Sequence, residues 1–441
     1  MPPALAAEPG GTPVWAPTRA LGRSVLLTGL LLLLGVALGR VDLVLLAAPF
    51  AIGAAIALRR MPQAAPELTI NADEEHLVEG GEVTASVTVS NPDVLLYDLV
   101  VLRVRTSPWL RMEHTDRPFA ITVPSDGWAA VDLPGEALRW GRQDVGPAAA
   151  RVAACSGLLA CRPVVQDPRG VRVYPVTEPF NATEAMPAAA GLVGAHRSRR
   201  PGEGGELAGV RPFAPGDRLR RIDWRVSLRT RDLHVASTLS DRDAEVMLLL
   251  DVLGEVGLSG GVAGSASVLD TTVRAAAAIA EHYLQRGDRV SLLEYGSAAR
   301  RLRAATGRRQ YLRVLEWLLD VRPDPVDYEQ ATNAFGPHHV SSDALVMVLT
   351  PLVDPRSADM LAQLAQSGRY VVAVDTLPPK AAPENRDQWT PLATRLWRVE
   401  RENVLGRLRE HGVPVVAWAG AGSLDLVLRD VSRLASTPRG R

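Results

Sequence analysis

Val246-Met247-Leu248-Leu249-Leu250-Asp251-Val252-Leu253-Gly254-Glu255 begins as an unbroken apolar run and closes on carboxylates around a glycine. Five apolar residues in a row leave no polar face for water, so the run reads as a strand buried on both sides. Downstream, Val268 to Gln285 has a helical period and ends at Gly287, Val290-Ser291-Leu292-Leu293 is a second strand, and Arg309 to Leu319 is a second helix. Leu345 to Leu349, Tyr370 to Val374 and Val413 to Trp418 add three strands with helices between them, and Leu424 to Leu434 gives a last helix. Strand-helix alternation over some 190 residues predicts a parallel, doubly wound α/β sheet.

Just upstream lies Arg211-Pro212-Phe213-Ala214-Pro215-Gly216-Asp217-Arg218-Leu219-Arg220-Arg221-Ile222-Asp223-Trp224-Arg225, followed by Ser227-Leu228-Arg229-Thr230-Arg231. It has neither a helical nor a strand period. The Pro-Gly pair forces a turn, and Asp217 and Asp223 among arginines can tie it down by bidentate pairs. This stretch resembles the signature of the domain of unknown function family 58, membrane-tethered bacterial proteins with a von Willebrand factor A-like domain. The resemblance covers nearly the whole chain from Ser24 onward. It makes Arg211, Pro215, Gly216, Asp217, Arg220, Asp223, Trp224, Arg229 and Thr230 the signature positions, either a structural clasp whose indole packs on a sheet or a docking surface for a protein.

A von Willebrand factor A domain implies a divalent-cation site where the first strand ends, built on Asp-x-Ser-x-Ser with a distant Thr and Asp, oxygen ligands that suit a hard cation. In this chain Asp251 keeps its place, while Leu253 and Glu255 replace both serines. The later strand ends in Thr350-Pro351, with Asp354 beyond it, and Thr332 is the candidate for the distant threonine. A leucine cannot ligate a cation. The site therefore reads as degenerate, an acidic rim of Asp251, Glu255 and Asp354 with no metal or other cofactor expected.

Enzymatic readings meet obstacles. Lys380 is the only lysine and is followed by Ala381, so a phosphate-binding loop ending in Gly-Lys-Ser/Thr is absent. Gly257-Leu258-Ser259-Gly260-Gly261 fits a nucleophile elbow, and Asp354 or Asp375 and then His411 follow in hydrolase order. The elbow needs a strand-turn-helix around its serine, however, and here the strand stops near Asp251 and the helix starts near Val268. A serine hydrolase using Ser259 is the alternative reading. His411, near a helix C-terminus, has an ordinary explanation in the helix dipole, and His338-His339 reads as loop.

Toward the N-terminus, Ser24 to Gly39 and Leu43 to Leu58 are apolar runs of 16 residues each, separated by Arg40-Val41-Asp42. Each makes a helix of about 24 Å, and flanking residues extend it toward a ~30 Å bilayer core. One continuous helix would strand Arg40 and Asp42 in the bilayer, at roughly 2.5–3.5 kcal/mol each. A hairpin is expected. Arg19, Arg23, Arg59 and Arg60 flank its two feet against Arg40 in its turn, which predicts both ends and the soluble part in the cytoplasm.

Residues 66–176 alternate polar and apolar, most clearly at Gly81 to Pro92, with further pieces at Leu99 to Val104, Phe119 to Val123 and Val171 to Tyr174. They predict a small antiparallel sandwich, and the resemblance implies an immunoglobulin-like one, including Trp140-Gly141-Arg142 and the turn Asp167-Pro168-Arg169-Gly170. Cys155 and Cys161 are the two cysteines and make a weak metal case without clustered histidines. They are expected as buried or incidental thiols, and a hairpin around the Ser-Gly turn could set them face to face.

The expected organisation is a tail over 1–22, a transmembrane hairpin over 23–60, an all-β sandwich over 66–176, a linker over 177–205, the signature over 206–240 and the α/β domain over 241–436. With 49 basic and 49 acidic residues, no global field favours nucleic acid. The function expected is that of a membrane-anchored, non-enzymatic scaffold. The family resemblance implies a role in cell-envelope or complex assembly beside a MoxR-type AAA+ ATPase and a transglutaminase-like membrane protein.

Overall fold

The computed structural model describes residues 15–62, 64–72, 77–114, 117–176, 201–214, 219–239, 245–297, 299–324, 340–341, 344–378 and 388–418. The chain forms two compact units, Met1–Tyr174 and Pro175–Arg441.

The first unit opens with a short strand, β1 (Trp15–Pro17), and two antiparallel helices, α1 (Arg19–Leu38) and α2 (Val41–Arg59). Both helices are long and apolar enough to cross a membrane. Gly39, at φ 63°, ends α1 in the left-handed conformation that glycine adopts without a Cβ clash. Gly35 lets the helices close up, since a Cβ there would stand 2.9 Å from Val44 Cγ2.

The strands that follow are β2 (Glu67–Ala72), β3 (Leu77–Val78), β4 (Glu82–Asn91), β5 (Tyr97–Thr106), β6 (Leu110–Met112), β7 (Phe119–Val123), β8 (Gly127–Ala137), β9 (Gly141–Ala154), β10 (Leu159–Cys161), β11 (Val164–Gln166) and β12 (Arg169–Tyr174). One sheet runs β2-β4-β8-β6; the other is built around β9, which pairs with β5, β10, β11 and β12. Alternation places Val83, Ala85, Val87 and Val89 of β4 in one core with Val100, Leu102 and Val104 of β5. The two sheets therefore share a single apolar interior, as their period-2 pattern dictates. Cys155 and Cys161 are free thiols, and burial pushes both above the usual thiol range.

β1 was not visible to sequence reasoning, because three residues ending in proline carry no period. It pairs antiparallel with β10, Trp15 opposite Cys161. The Trp15 indole N–H donates to Ala64 O at 2.9 Å, and its ring lies 5.6 Å from that of Tyr97. Both feet of the helical hairpin are thus fastened to the sheets.

The second unit begins with a two-stranded ribbon, β13 (Pro201–Pro212) and β14 (His234–Leu239), linked through a 3-10 turn at Leu219–Arg221 and α3 (Trp224–Thr230). β13 starts inside the stretch read as linker, where a Gly-rich sequence hides strand pairing. The signature, read as lacking any period, contains a strand end and a helix too short for a period to register.

The α/β sheet comprises β15 (Glu245–Asp251), β16 (Arg289–Tyr295), β17 (Arg301–Ala305), β18 (Ala344–Thr350), β19 (Tyr370–Asp375) and β20 (Val415–Ala417). Their order is β17-β16-β15-β18-β19-β20, parallel except for β17. The connecting helices are α4 (Val268–Gln285), α5 (Gly307–Leu318), α6 (Pro355–Gln366) and α7 (Thr390–Glu410). Every residue from Val246 to Asp251 is buried, as the unbroken apolar run requires of a strand covered on both faces. The chain lays strands outward from β15 on one side, then jumps across to β18 and continues on the other. β17, an edge strand of Arg-Leu-Arg-Ala-Ala, went unread because its exposed side is basic.

Candidate functional site

In a doubly wound sheet, ligands bind at the carboxyl ends of the strands where the strand order reverses. Here that point lies between β15 and β18, whose last residues are Asp251 and Thr350. Asp251 is fully buried. Its Oδ2 accepts from Thr350 Oγ1 at 2.6 Å and from Ser357 Oγ at 2.6 Å, and its Oδ1 accepts from Leu253 N at 3.1 Å. Burial pushes its carboxyl above the usual range, with the two hydroxyls and the amide working the other way.

The polar chain extends across the sheet. Thr350 O accepts from Thr376 N at 3.1 Å, and Thr272 Oγ1 of α4 donates to Thr376 Oγ1 at 2.8 Å. Beside Asp251, burial first and the Asp251 charge second push the Tyr295 phenol up to about 12. On the β16 side, Asp324 N donates to Val252 O at 2.8 Å, and the Asp324 carboxylate takes the amide of Ser297 at 2.7 Å and its hydroxyl.

The three carboxylates of the expected acidic rim have separate duties. Glu255 Oε2 accepts from Leu269 N at 3.2 Å, at the N-terminus of α4 where the helix dipole favours an anion. Asp354 caps α6, accepting from Arg356 N at 2.9 Å, and holds the same residue's guanidinium at 2.9 and 2.6 Å. That pairing keeps its carboxyl below the usual range. Among the described residues, no three metal-ligating side chains of His, Cys, Asp or Glu type converge. Thr332 lies outside the described residues.

The alternative hydrolase constellation is not brought together. Ser259 Oγ accepts from Gly261 N at 3.3 Å within its own turn. Asp375 is paired with Arg401 at 2.6 Å, Asp354 with Arg356, and His411 Nδ1 meets Arg407 O at 2.7 Å at the end of α7. His338 and His339 lie outside the described residues.

In the described part of the signature, Asp223 serves as a helix cap where an arginine pair was expected. Asp223 caps α3, accepting from Arg225 N and Val226 N at 3.1 Å each, and Ser227 Oγ donates to Asp223 O at 2.7 Å while accepting from His234 N at 2.9 Å. Thr230 Oγ1 reaches Val226 O at 3.0 Å and His234 Nδ1 at 3.1 Å. The staple is thus made of cap and hydroxyl hydrogen bonds. Trp224 does not pack on a sheet: it is 62% exposed, and Leu228, one turn on, is 80% exposed. A tryptophan in a charged segment reads as an anchor, yet Trp224 opens a seven-residue helix whose inward position is taken by Ser227. Arg211 and Arg229 are exposed. Pro215, Gly216 and Asp217, and the side chain of Arg220, lie outside the described residues.

The clasp, β14, the C-terminal end of β13 and the first five strands of the sheet fall within one matched stretch. Residues 209–383 match the model of the family described as protein of unknown function DUF58. Within that DUF58 segment lie Asp223, Trp224, Asp251, Thr350, Asp354 and Ser357. Uncharacterized proteins Mb1516 of Mycobacterium bovis and Rv1480 of Mycobacterium tuberculosis are 38% identical over 118 residues, 26% of this chain and 36% of each relative. The matched stretch therefore spans about a third of those relatives' length. Among solved structures, the cupredoxin domain of amoB from Nitrosocaldus yellowstonii aligns at 11% identity over 28% of this chain and 97% of its own, with a TM-score of 0.18. The sporulation control protein Spo0M from Bacillus subtilis aligns at 12% identity over 30% of this chain and 55% of its own, with a TM-score of 0.17. Likenesses at this level carry no argument.

Proposed function

We propose that this DUF58-containing chain is a membrane-anchored, non-enzymatic docking protein. In this reading the helical hairpin sits in the cell membrane, an immunoglobulin-like sandwich and a von Willebrand factor A-like α/β unit lie on the cytoplasmic side, and the signature presents a binding face. The observation that supports it is the pairing of a tightly stapled clasp with an exposed Trp224 and Leu228 one turn apart, flanked by Arg225 and Arg229. A rigid aromatic anchor beside arginines is the composition of an interface hot spot. The face suits a partner with an apolar pocket rimmed by acids, and a MoxR-type AAA+ ATPase is the candidate, with a transglutaminase-like membrane protein as a further member of the complex. The groups that would do chemistry at the switch point are already committed to one another, which favours binding over catalysis.

The test is a membrane pull-down with the full chain, wild type against Trp224→Ala and Leu228→Asp. Loss of an ATPase partner at unchanged melting temperature supports the docking reading. Retention of all partners by both variants sinks it, and fluorophosphonate labelling that disappears in Ser259→Ala would replace it with the hydrolase.

A further inference from the structure

α7 is attached to the α/β unit along one side. Leu405 and Leu408 are buried in the core, Arg401 Nη2 meets Asp375 Oδ2 at 2.6 Å, and the same nitrogen donates to Pro351 O at 3.1 Å. These contacts fix the roll of the helix. On its outer side Leu392, Leu396 and Val399 are 54%, 64% and 58% exposed, and Trp389 at the N-cap is exposed as well.

The spacing 389-392-396-399 alternates three and four, the a and d positions of a heptad and hence a narrow seam for one partner helix. Extending the frame puts Asn403 at the next a position, where asparagine specifies register and a two-stranded state. The flanks then follow without adjustment. Arg395 and Glu402 take g positions; Glu400 and Arg407 take e positions, and all four are exposed. In a parallel pair, each g residue meets the e residue five places later on the other helix. Arg395 would meet Glu400, and Glu402 would meet Arg407, both of opposite sign.

A lipid surface fits this face less well, because an interfacial helix carries cations along both borders of its apolar stripe. Here Glu400 stands on one border and Glu402 on the other. We propose that α7 is a self-association helix, pairing in parallel with α7 of a second copy of this chain through Leu392, Leu396 and Val399, with Arg395–Glu400 and Glu402–Arg407 contacts between copies. The proposal concerns a different element from the signature face and does not rest on its docking role.

The test uses the full chain in detergent micelles, with Cys155 and Cys161 replaced by serine. Val399→Cys, on the seam, should give a disulfide-linked dimer on mild oxidation at a yield about tenfold above Arg398→Cys, which points away from it; a tenfold preference corresponds to ~1.4 kcal/mol. Arg395→Glu should reduce the Val399→Cys dimer, and adding Glu400→Arg should restore it, since the swap rebuilds both signs between copies. Residues 419–441 folding back on the stripe, or a lipid surface covering it, would not follow the swap. Equal cross-linking at 398 and 399, failure of the swap to restore it, or a monomeric mass for the unmodified chain at micromolar concentration overturns the proposal. Val399 is itself exposed on a single copy, so Val399→Cys and the charge swap alter surface positions only.

Discussion

Asp251 and Thr350 meet across the reversal point of the sheet, Thr350 Oγ1 donating to Asp251 Oδ2 at 2.6 Å. The bond joins the ends of two neighbouring strands whose connections leave in opposite directions. Ser357 completes it from the first turn of α6, so a single buried carboxyl ties two strands and a helix together.

Removing that carboxyl without replacement should be costly. Asp251→Ala leaves two buried hydroxyls and an amide short of an acceptor, a loss of about 1–3 kcal/mol, and should lower the melting temperature by several degrees. Asp251→Asn keeps the shape, accepting from Leu253 N and donating to hydroxyls that can turn around. Its melting temperature should stay near wild type. Equal melting temperatures for the Ala and Asn variants would show that the hydroxyl contacts do not matter.

A pH series on the same variants has a definite sign. Burial raises the Asp251 carboxyl, so the folded chain keeps that proton to a higher pH than the unfolded one does. The resulting stability is fully present below the unfolded value of ~3.9 and is lost as pH rises through the folded value. Asp251→Asn carries no such proton. Its stability relative to wild type should therefore rise with pH, and a flat difference in thermal melts between pH 4 and 8 would contradict this.

Magnesium or manganese at millimolar concentration should give no saturable heat with the full chain in calorimetry. Leu253 offers only a backbone amide toward Asp251, and Glu255 and Asp354 serve helix ends. A signal abolished by Asp251→Ala would establish a cation site there.

Signature variants should separate fold from docking. Asp223→Ala removes the α3 cap, and Ser227→Ala removes a buried bridge to His234; each should cost about 1–2 kcal/mol. Trp224→Ala should leave the melting temperature almost unchanged, since most of the indole is already in water. A drop with Trp224→Ala equal to that with Asp223→Ala would return the indole to a packing role.

A reporter fused after Arg441 should read as cytoplasmic, following the arginines at the feet of the hairpin. Activity on the opposite face reverses the proposed orientation.

Much of the α/β unit was legible because its signals are physical ones. Val268 to Gln285 was read to the residue, with Ser267 and Asp270 forming a reciprocal cap at one end and Gly287 in the left-handed region at the other. The expected strands appear with ends shifted by one or two residues. What stayed hidden depends on contacts distant in sequence. Asp251 could be singled out as the residue closing a strand, but its partners Thr350 and Ser357 lie 99 and 106 residues away. Arg356 was equally invisible as the partner that occupies Asp354. Trp224 failed in the other direction: a large aromatic suggests burial, and only the seven-residue helix with Ser227 inward reveals that it faces water.

Thr18 N and Oγ1 bond to Leu158 O at 2.9 and 3.0 Å, and Ala64 N bonds to Asp93 at 3.2 Å, so the helical hairpin is pinned at both feet. Were these helices set in a bilayer thinner or thicker than themselves, the tilt that relieves the mismatch would be carried through those bonds into the β-sheets, turning them into a lever.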